Sequence, residues 1–270
     1  MSADSESLVL GTAYRLTVDD VWIFVESLRR FYSGNVMLLV NSYQPPELAT
    51  YLRSRDVFPV HFDGPPWMTA HVQMMRYVRY GEVLRDSRCS YDRILLTDVS
   101  DVVFQGHPFD SMGQGELLCF MEHPGCTIAQ SKNMVRWIQQ IYGDEALAEL
   151  GECGISCSGT TIGTHPAIIR YIDLLLSQAD PGVLAPLSGY RGHDQGMHNY
   201  LLHKGYLPEA RLVPNGEHVY TLGLVPGAEV FAGEAGTLLT PDGRACPIVH
   251  QYTYNDRMRA HVAAAYPRSG

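Results

Sequence analysis

The chain alternates short, wholly apolar runs with longer segments whose apolar residues recur every three or four positions. LVLGTAYRL (8–16) reads as a strand opening into a loop, VMLLVN (36–41) as a second strand, VFPVHF (57–62) as a third weakened by Pro59, and DRILLTD (92–98) as a fourth. Between them, VDDVWIFVESLRRFY (18–32) places Val21, Phe24, Val25 and Leu28 on one helical face, with Asp19 and Asp20 in the first turn and Arg29 and Arg30 in the last, as the helix dipole favours. PPELATYLRSRD (45–56) continues from its prolines as a helix. AHVQMMRYVRYGEVLRDS (70–87) is a long helix whose stripe includes Val72, Met75, Val78 and Leu84.

The second half reads differently. ELLCFM (116–121) is a strand, SKNMVRWIQQIY (131–142) and EALAEL (145–150) are helical, and ISCSGTTIGTH (155–165) is a buried strand and turn. PAIIRYIDLLLSQA (166–179) opens with proline as a helix, GHDQGMHNYLLHKG (192–205) is a helix stopped by Gly205, and TLLTPDGRACPIVHQY (237–252) is expected to form a hairpin around Pro241-Asp242-Gly243. Strand–helix alternation at this spacing implies right-handed crossovers and an α/β fold, its mainly parallel sheet covered on both faces. The chain shows no linker, repeat or low-complexity segment, and one domain over 1–270 is the expectation.

Composition narrows the class. Hydrophobic residues make up 46% of the 270 residues and charged residues 18%, a globular balance. The net charge of -9, without any basic run, argues against nucleic-acid binding. No apolar stretch has the length of a membrane span, and the acidic start MSADSESLVLGTAYRL carries no export signal, so the expected location is cytoplasmic. The six cysteines (Cys89, Cys119, Cys126, Cys153, Cys157, Cys246) then read as reduced thiols. Cys153 and Cys157 lack the second pair or local histidine that a zinc site needs.

The strongest chemical signal is YDRILLTDVSDVVFQGHPF (91–109), where a buried strand runs into Asp98 and Asp101. Ligands of α/β sheets bind outside the carboxyl ends of strands, and these carboxylates fall there. Taken alone, the pair could equally be a turn cap and a solvated carboxylate. If both face one site, a divalent cation removes their repulsion and offers a place for diphosphate oxygens. An aspartyl-nucleophile phosphohydrolase is disfavoured, because Val102-Val103-Phe104 follows Asp101 where such enzymes have Gly-Thr. His250, at the end of IVHQY, is either structural or a third ligand in a mixed oxygen and nitrogen set that manganese tolerates better than magnesium.

Asp194 is a helix N-cap candidate that could also meet a sugar hydroxyl or attack an anomeric carbon. Arg76 and Arg79 precede the acidic strand, and Arg76, at the edge of the apolar stripe, could reach a phosphate or the aspartates. Ser158-Gly159-Thr160-Thr161 allows either close approach of a sugar or tight strand packing, while Tyr14, Lys132 and Asn133 are weaker loop candidates.

LLTDVSDVVFQGHPF, SGTTIGT, DQGMHNYLL and IVHQYTY stand in this order along the chain, from GTAYR to His250. In these four motifs the sequence resembles nucleotide-sugar glycosyltransferases of the GT-A fold, in particular a group of bacterial and plant glycosyltransferase-like proteins. The resemblance implies a Rossmann-like mixed sheet flanked by helices, with residues 1–110 holding the nucleotide and 111–270 the sugar and acceptor. It implies a UDP- or GDP-sugar donor, a carbohydrate or other hydroxyl acceptor, and Mn2+ or Mg2+. Asp98, Asp101 and His250 would be the metal set; Thr12, Tyr14, Arg76, Asp98, Ser158 and Gly159 would contact the donor; Asp194 and Arg76 would serve the transfer itself, with retention favoured by analogy. Three positions depart from the motifs: Ser100 replaces an arginine, and Thr253 and Tyr254 replace an aspartate and an arginine. They leave room for a non-catalytic nucleotide-sugar or glycan-binding protein on the same scaffold. A sugar nucleotidyltransferase is disfavoured because GTAYRLT is poor in glycine and base. Acceptor loops are expected within 105–135 and 180–192.

Overall fold

Apolar runs without alternation are what a strand buried on both faces requires. The computed structural model, which describes residues 6–43, 46–62, 72–86, 90–110, 114–184 and 192–268, shows this for the central strands. In chain order the elements are β1 (Ser7–Thr12), α1 (Val18–Phe31), β2 (Asn35–Asn41), α2 (Pro46–Ser54), β3 (Phe58–Phe62), α3 (Val72–Leu84), β4 (Arg93–Thr97), β5 (Val102–Phe104), β6 (Leu117–Met121), α4 (Lys132–Leu150), β7 (Ser156–Gly163), α5 (His165–Ser177), α6 (His193–His203), β8 (Ala210–Val213), β9 (Val219–Thr221), β10 (Phe231–Ala232), β11 (Leu238–Leu239), β12 (Ile248–His250) and α7 (Asp256–Ala265).

Seven strands form the main sheet in the order β3-β2-β1-β4-β7-β6-β8. The pairs β1–β2, β2–β3 and β1–β4 are parallel, whereas β7 runs antiparallel to both β4 and β6. This is an α/β, Rossmann-like arrangement: a mixed sheet, mainly parallel, flanked by helices. The pleat divides its side chains. Val9, Leu38, Val40 and Leu95 face the layer made by Val21, Phe24, Val25 and Leu28 of α1 and by Leu48 and Leu52 of α2. Leu8, Leu10, Leu39, Ile94 and Leu96 face the opposite layer, built from α3, α5 and α6. Each side chain so enclosed contributes roughly 1.5–3 kcal/mol. Pro59 is tolerated because β3 is an edge strand. Thr17 caps α1 through a reciprocal pair with Asp20.

Several sequence expectations are corrected. The buried face of α3 is Met74, Met75, Tyr77, Tyr80 and Leu84; Val78 is only half-buried, and the Val72 side chain lies outside the described residues. Segments 131–142 and 145–150 are two helical stretches, as expected, and within α4 Gly143 separates them with a non-helical backbone at φ 81°. Residues 237–252 do not form a hairpin: Leu239 bridges Ala245 across the turn, but β11 pairs with β10, and β12 joins a separate sheet of order β5-β12-β9. The expected acceptor loops include 111–113 and 185–191, outside the described residues. The five described cysteines are free thiols, and no described helix is long and apolar enough to cross a membrane.

One buried histidine gives the fold a pH signature. His198 of α6 lies between the Tyr171 hydroxyl (2.7 Å) and Ser156 Oγ (2.9 Å), and burial lowers its pKa from 6.5 to about 3. Between those values the unfolded chain takes up a proton that the folded chain refuses. The stability at stake is therefore fully present above pH 6.5 and is lost as pH falls through that window. His198→Gln should flatten the acid limb of a urea-unfolding stability profile between neutral pH and about pH 4; a limb as steep as the wild type's would assign it to other groups.

Candidate active site

The order of the main sheet reverses at β1, which has β2 on one side and β4 on the other. Ligands of open α/β sheets bind at such a switch point, beyond the carboxyl ends of the strands. A cleft of about 920 Å³ opens there, lined by Thr12 at the end of β1, Tyr14 beyond it, and Asp98, Ser100 and Asp101 after β4. Ser158 and Gly159 of β7 form another wall, and Asp194 and Gln195 of α6 a further one.

Backbone bonds fix the acidic pair. The Asp98 amide donates to the Gly159 carbonyl (2.7 Å), and the Asp101 carbonyl accepts from the Gln251 amide (2.8 Å). The second bond continues the β5–β12 ladder, in which His250 lies opposite Val102. Register therefore brings the His250 imidazole, fully buried, beneath the two carboxylates. Its Nε2 is 3.4 Å from Asp98 Oδ2 and 3.6 Å from Asp101 Oδ1, yet makes a hydrogen bond to neither. The three ligand atoms lie within 4.8 Å of one another. A buried nitrogen without a hydrogen bond, aimed at two carboxylate oxygens, could hold a metal ion together with them. Gly159 keeps the space open: a Cβ there would fall 2.6 Å from Asp98 Oδ2 and 2.9 Å from His250 Nε2.

The electrostatics separate the two aspartates. Burial pushes Asp98 up, but the Arg76 and His250 charges outweigh it and hold the carboxyl well below the ordinary range. Burial dominates at Asp101, and with the nearby Asp98 charge raises it against the pull of His250. For His250 itself, burial opposes the charged form, while Cys157, Asp101 and Asp98 favour it and carry the balance well above the usual imidazole value.

Arg76 binds two carboxylates. It donates from Nη1 to Asp98 Oδ1 and from Nη2 to Asp194 Oδ2 (2.7 Å), and its guanidinium lies over the Tyr77 ring. Asp98 thus offers Oδ1 to the arginine and Oδ2 to the side where His250 and Asp101 stand. Asp194, 3% exposed, also accepts from Ser158 Oγ (3.2 Å). It is not the helix N-cap expected from the sequence; that place belongs to Gly192, whose φ of 94° a side chain would strain. Burial raises the Asp194 pKa against the Arg76 charge.

The structure thus brings Thr12, Tyr14, Arg76, Asp98, Asp101, Ser158, Gly159, Asp194 and His250 to one place. Thr12 Oγ1 shares a hydrogen bond with Tyr80 (2.8 Å), and Tyr14 packs on Phe62. Asn133 also lines the cleft, but Lys132 does not, and Arg79 pairs with Glu82 on the surface. Sequence reasoning missed Trp137, Gln195, Gln251 and the partner of Gln195, Glu122. Glu122 carried a readable signal, a carboxylate directly after the apolar strand LLCFM, like Asp98 after ILLT. The sequence matches no protein-family model and, with significance, no curated protein.

Proposed function

We propose that the protein is a metal-dependent glycosyltransferase that moves a sugar from a nucleoside-diphosphate donor, a UDP- or GDP-sugar, to an acceptor hydroxyl. The observation that carries this reading is His250 Nε2 directed between the Asp98 and Asp101 carboxylates at the floor of the switch-point cleft. The four ordered motifs supply the substrate class. A divalent cation held by Asp98, Asp101 and His250 would offset the charge that grows on a departing diphosphate. Arg76 holds Asp98 so that one oxygen stays turned towards the cation position. Asp194, fixed by Arg76 and Ser158, orients a sugar hydroxyl beside the small walls of Ser158 and Gly159. Retention at the anomeric carbon follows by analogy with the GT-A resemblance.

A second reading, a binding protein without turnover, is favoured by one feature: the Arg76 bridge already engages Asp194, the carboxylate nearest the proposed sugar position. Calorimetry with UDP- and GDP-sugars, with and without Mn2+, run beside a product assay, tests both. Mn2+-dependent binding with release of free nucleoside diphosphate is the expected result. Binding with no product from water or any acceptor would establish the second reading, and no binding of either donor class would overturn both.

A further inference from the structure

A histidine that binds a cation through Nε2 must carry its ring proton on Nδ1, and that N–H needs an acceptor. At His250 the neighbour is Cys157 Sγ, 3.5 Å from Nδ1. The Cys157 thiol lies 3.9 Å from Gln195 Oε1, and Gln195 Nε2 donates to Glu122 Oε1 at 2.6 Å. These contacts can all run in one direction: imidazole N–H to sulfur, thiol S–H to amide oxygen, amide N–H to carboxylate. A carboxylate oxygen that accepts is the natural end of such a chain; burial raises the Glu122 pKa, and the bond from Gln195 opposes that by favouring the ionised form.

Its members come from four elements; Glu122, Cys157 and His250 are buried, and Gln195 is partly buried at the cleft wall. Glu122 follows β6, Cys157 lies on β7, Gln195 on α6 and His250 ends β12. Glu122 is 5% exposed, and its described side-chain hydrogen bond is the one from Gln195. A buried carboxylate without a cation partner is costly to keep unless its charge serves another group. The β6–β7 ladder slips between Cys119 and Met121, immediately before Glu122, and bulges of this kind re-aim side chains. Cys157 and Gly159 share one face of β7, and both abut the His250 ring.

We infer that Glu122, acting through Gln195 and Cys157, is a positioning residue for the cation site: it holds the His250 ring with Nε2 free to bind a divalent metal. The inference rests on the cation site proposed above. It extends the site to residues that do not touch the ion.

The test is Mn2+ affinity, measured by calorimetry and by electron paramagnetic resonance of free Mn2+, on cation-free protein. Glu122→Gln and Cys157→Ala should each weaken binding roughly 10–100-fold, as lost partners of metal-bound histidines do. Cys157→Ser, whose hydroxyl both accepts and donates, should recover most of it. Urea unfolding of each variant separates lost affinity from lost fold; should Glu122→Gln fail to fold, Gln195→Met breaks the same chain from the helix side. If wild-type protein binds no Mn2+, the cation site falls and the inference with it. If wild type binds, His250→Ala does not, and Cys157→Ala and Glu122→Gln bind as tightly as wild type, the inference alone is overturned.

Discussion

On the proposed glycosyltransferase reading, Asp101→Asn should lower Mn2+-dependent sugar transfer by about 10²–10³-fold, the scale of losing one group aimed at developing charge. The substitution is nearly isosteric, and the main-chain bond from Gln251 to the Asp101 carbonyl survives it. The cation-free fold should change little, because the side chain keeps its shape and burial, with the nearby Asp98, raises the Asp101 pKa against the pull of His250. The cost therefore falls on metal affinity and catalysis and not on folding. Calorimetry with Mn2+, a transfer assay at saturating donor and circular dichroism read the three quantities separately. Undiminished transfer by a folded variant would remove Asp101 from the metal set.

Arg76→Met should destabilise the protein by about 3–5 kcal/mol, the usual consequence of removing one partner from a buried ion cluster. Arg76 is 7% exposed and neutralises Asp98 and Asp194 together. Without it Asp194, almost wholly enclosed, keeps only the Ser158 hydroxyl among its side-chain partners here. Adding Asp194→Asn to the variant should restore most of the loss, since the stranded charge is the source of the penalty. Urea denaturation of both variants is the measurement. An Arg76→Met protein as stable as wild type would mean that the bridge contributes nothing to the native state.

The central strands were legible because burial on both faces leaves little but apolar residues: 36–41, 92–98 and 155–165 declare themselves. Strand direction was not, and the antiparallel β7 looks like any other buried run. β5, β9 and β12 have three residues each, too few for a period to show, although two of them position the metal set. The Asp98–Asp101 pair was visible because a carboxylate at the end of ILLT has no other outlet. The cap of α6 was misread because the left-handed Gly192 replaced side-chain capping, which freed Asp194 to meet Arg76. Cys157 could not be linked to His250 from spacing, since the β7–β12 contact is tertiary and far apart in sequence.

The pairing of His250 with Val102 has a consequence for assembly. The imidazole and the acidic turn belong to distant parts of the chain, and they meet only after the last short strand has docked. A metal ion caught between them would act as a reversible staple across a very long loop, rewarding the finished fold and ignoring any partly built one. Nascent protein would complete the three-residue cation set last, and a chain cut short before β12 would keep the two carboxylates but lack His250.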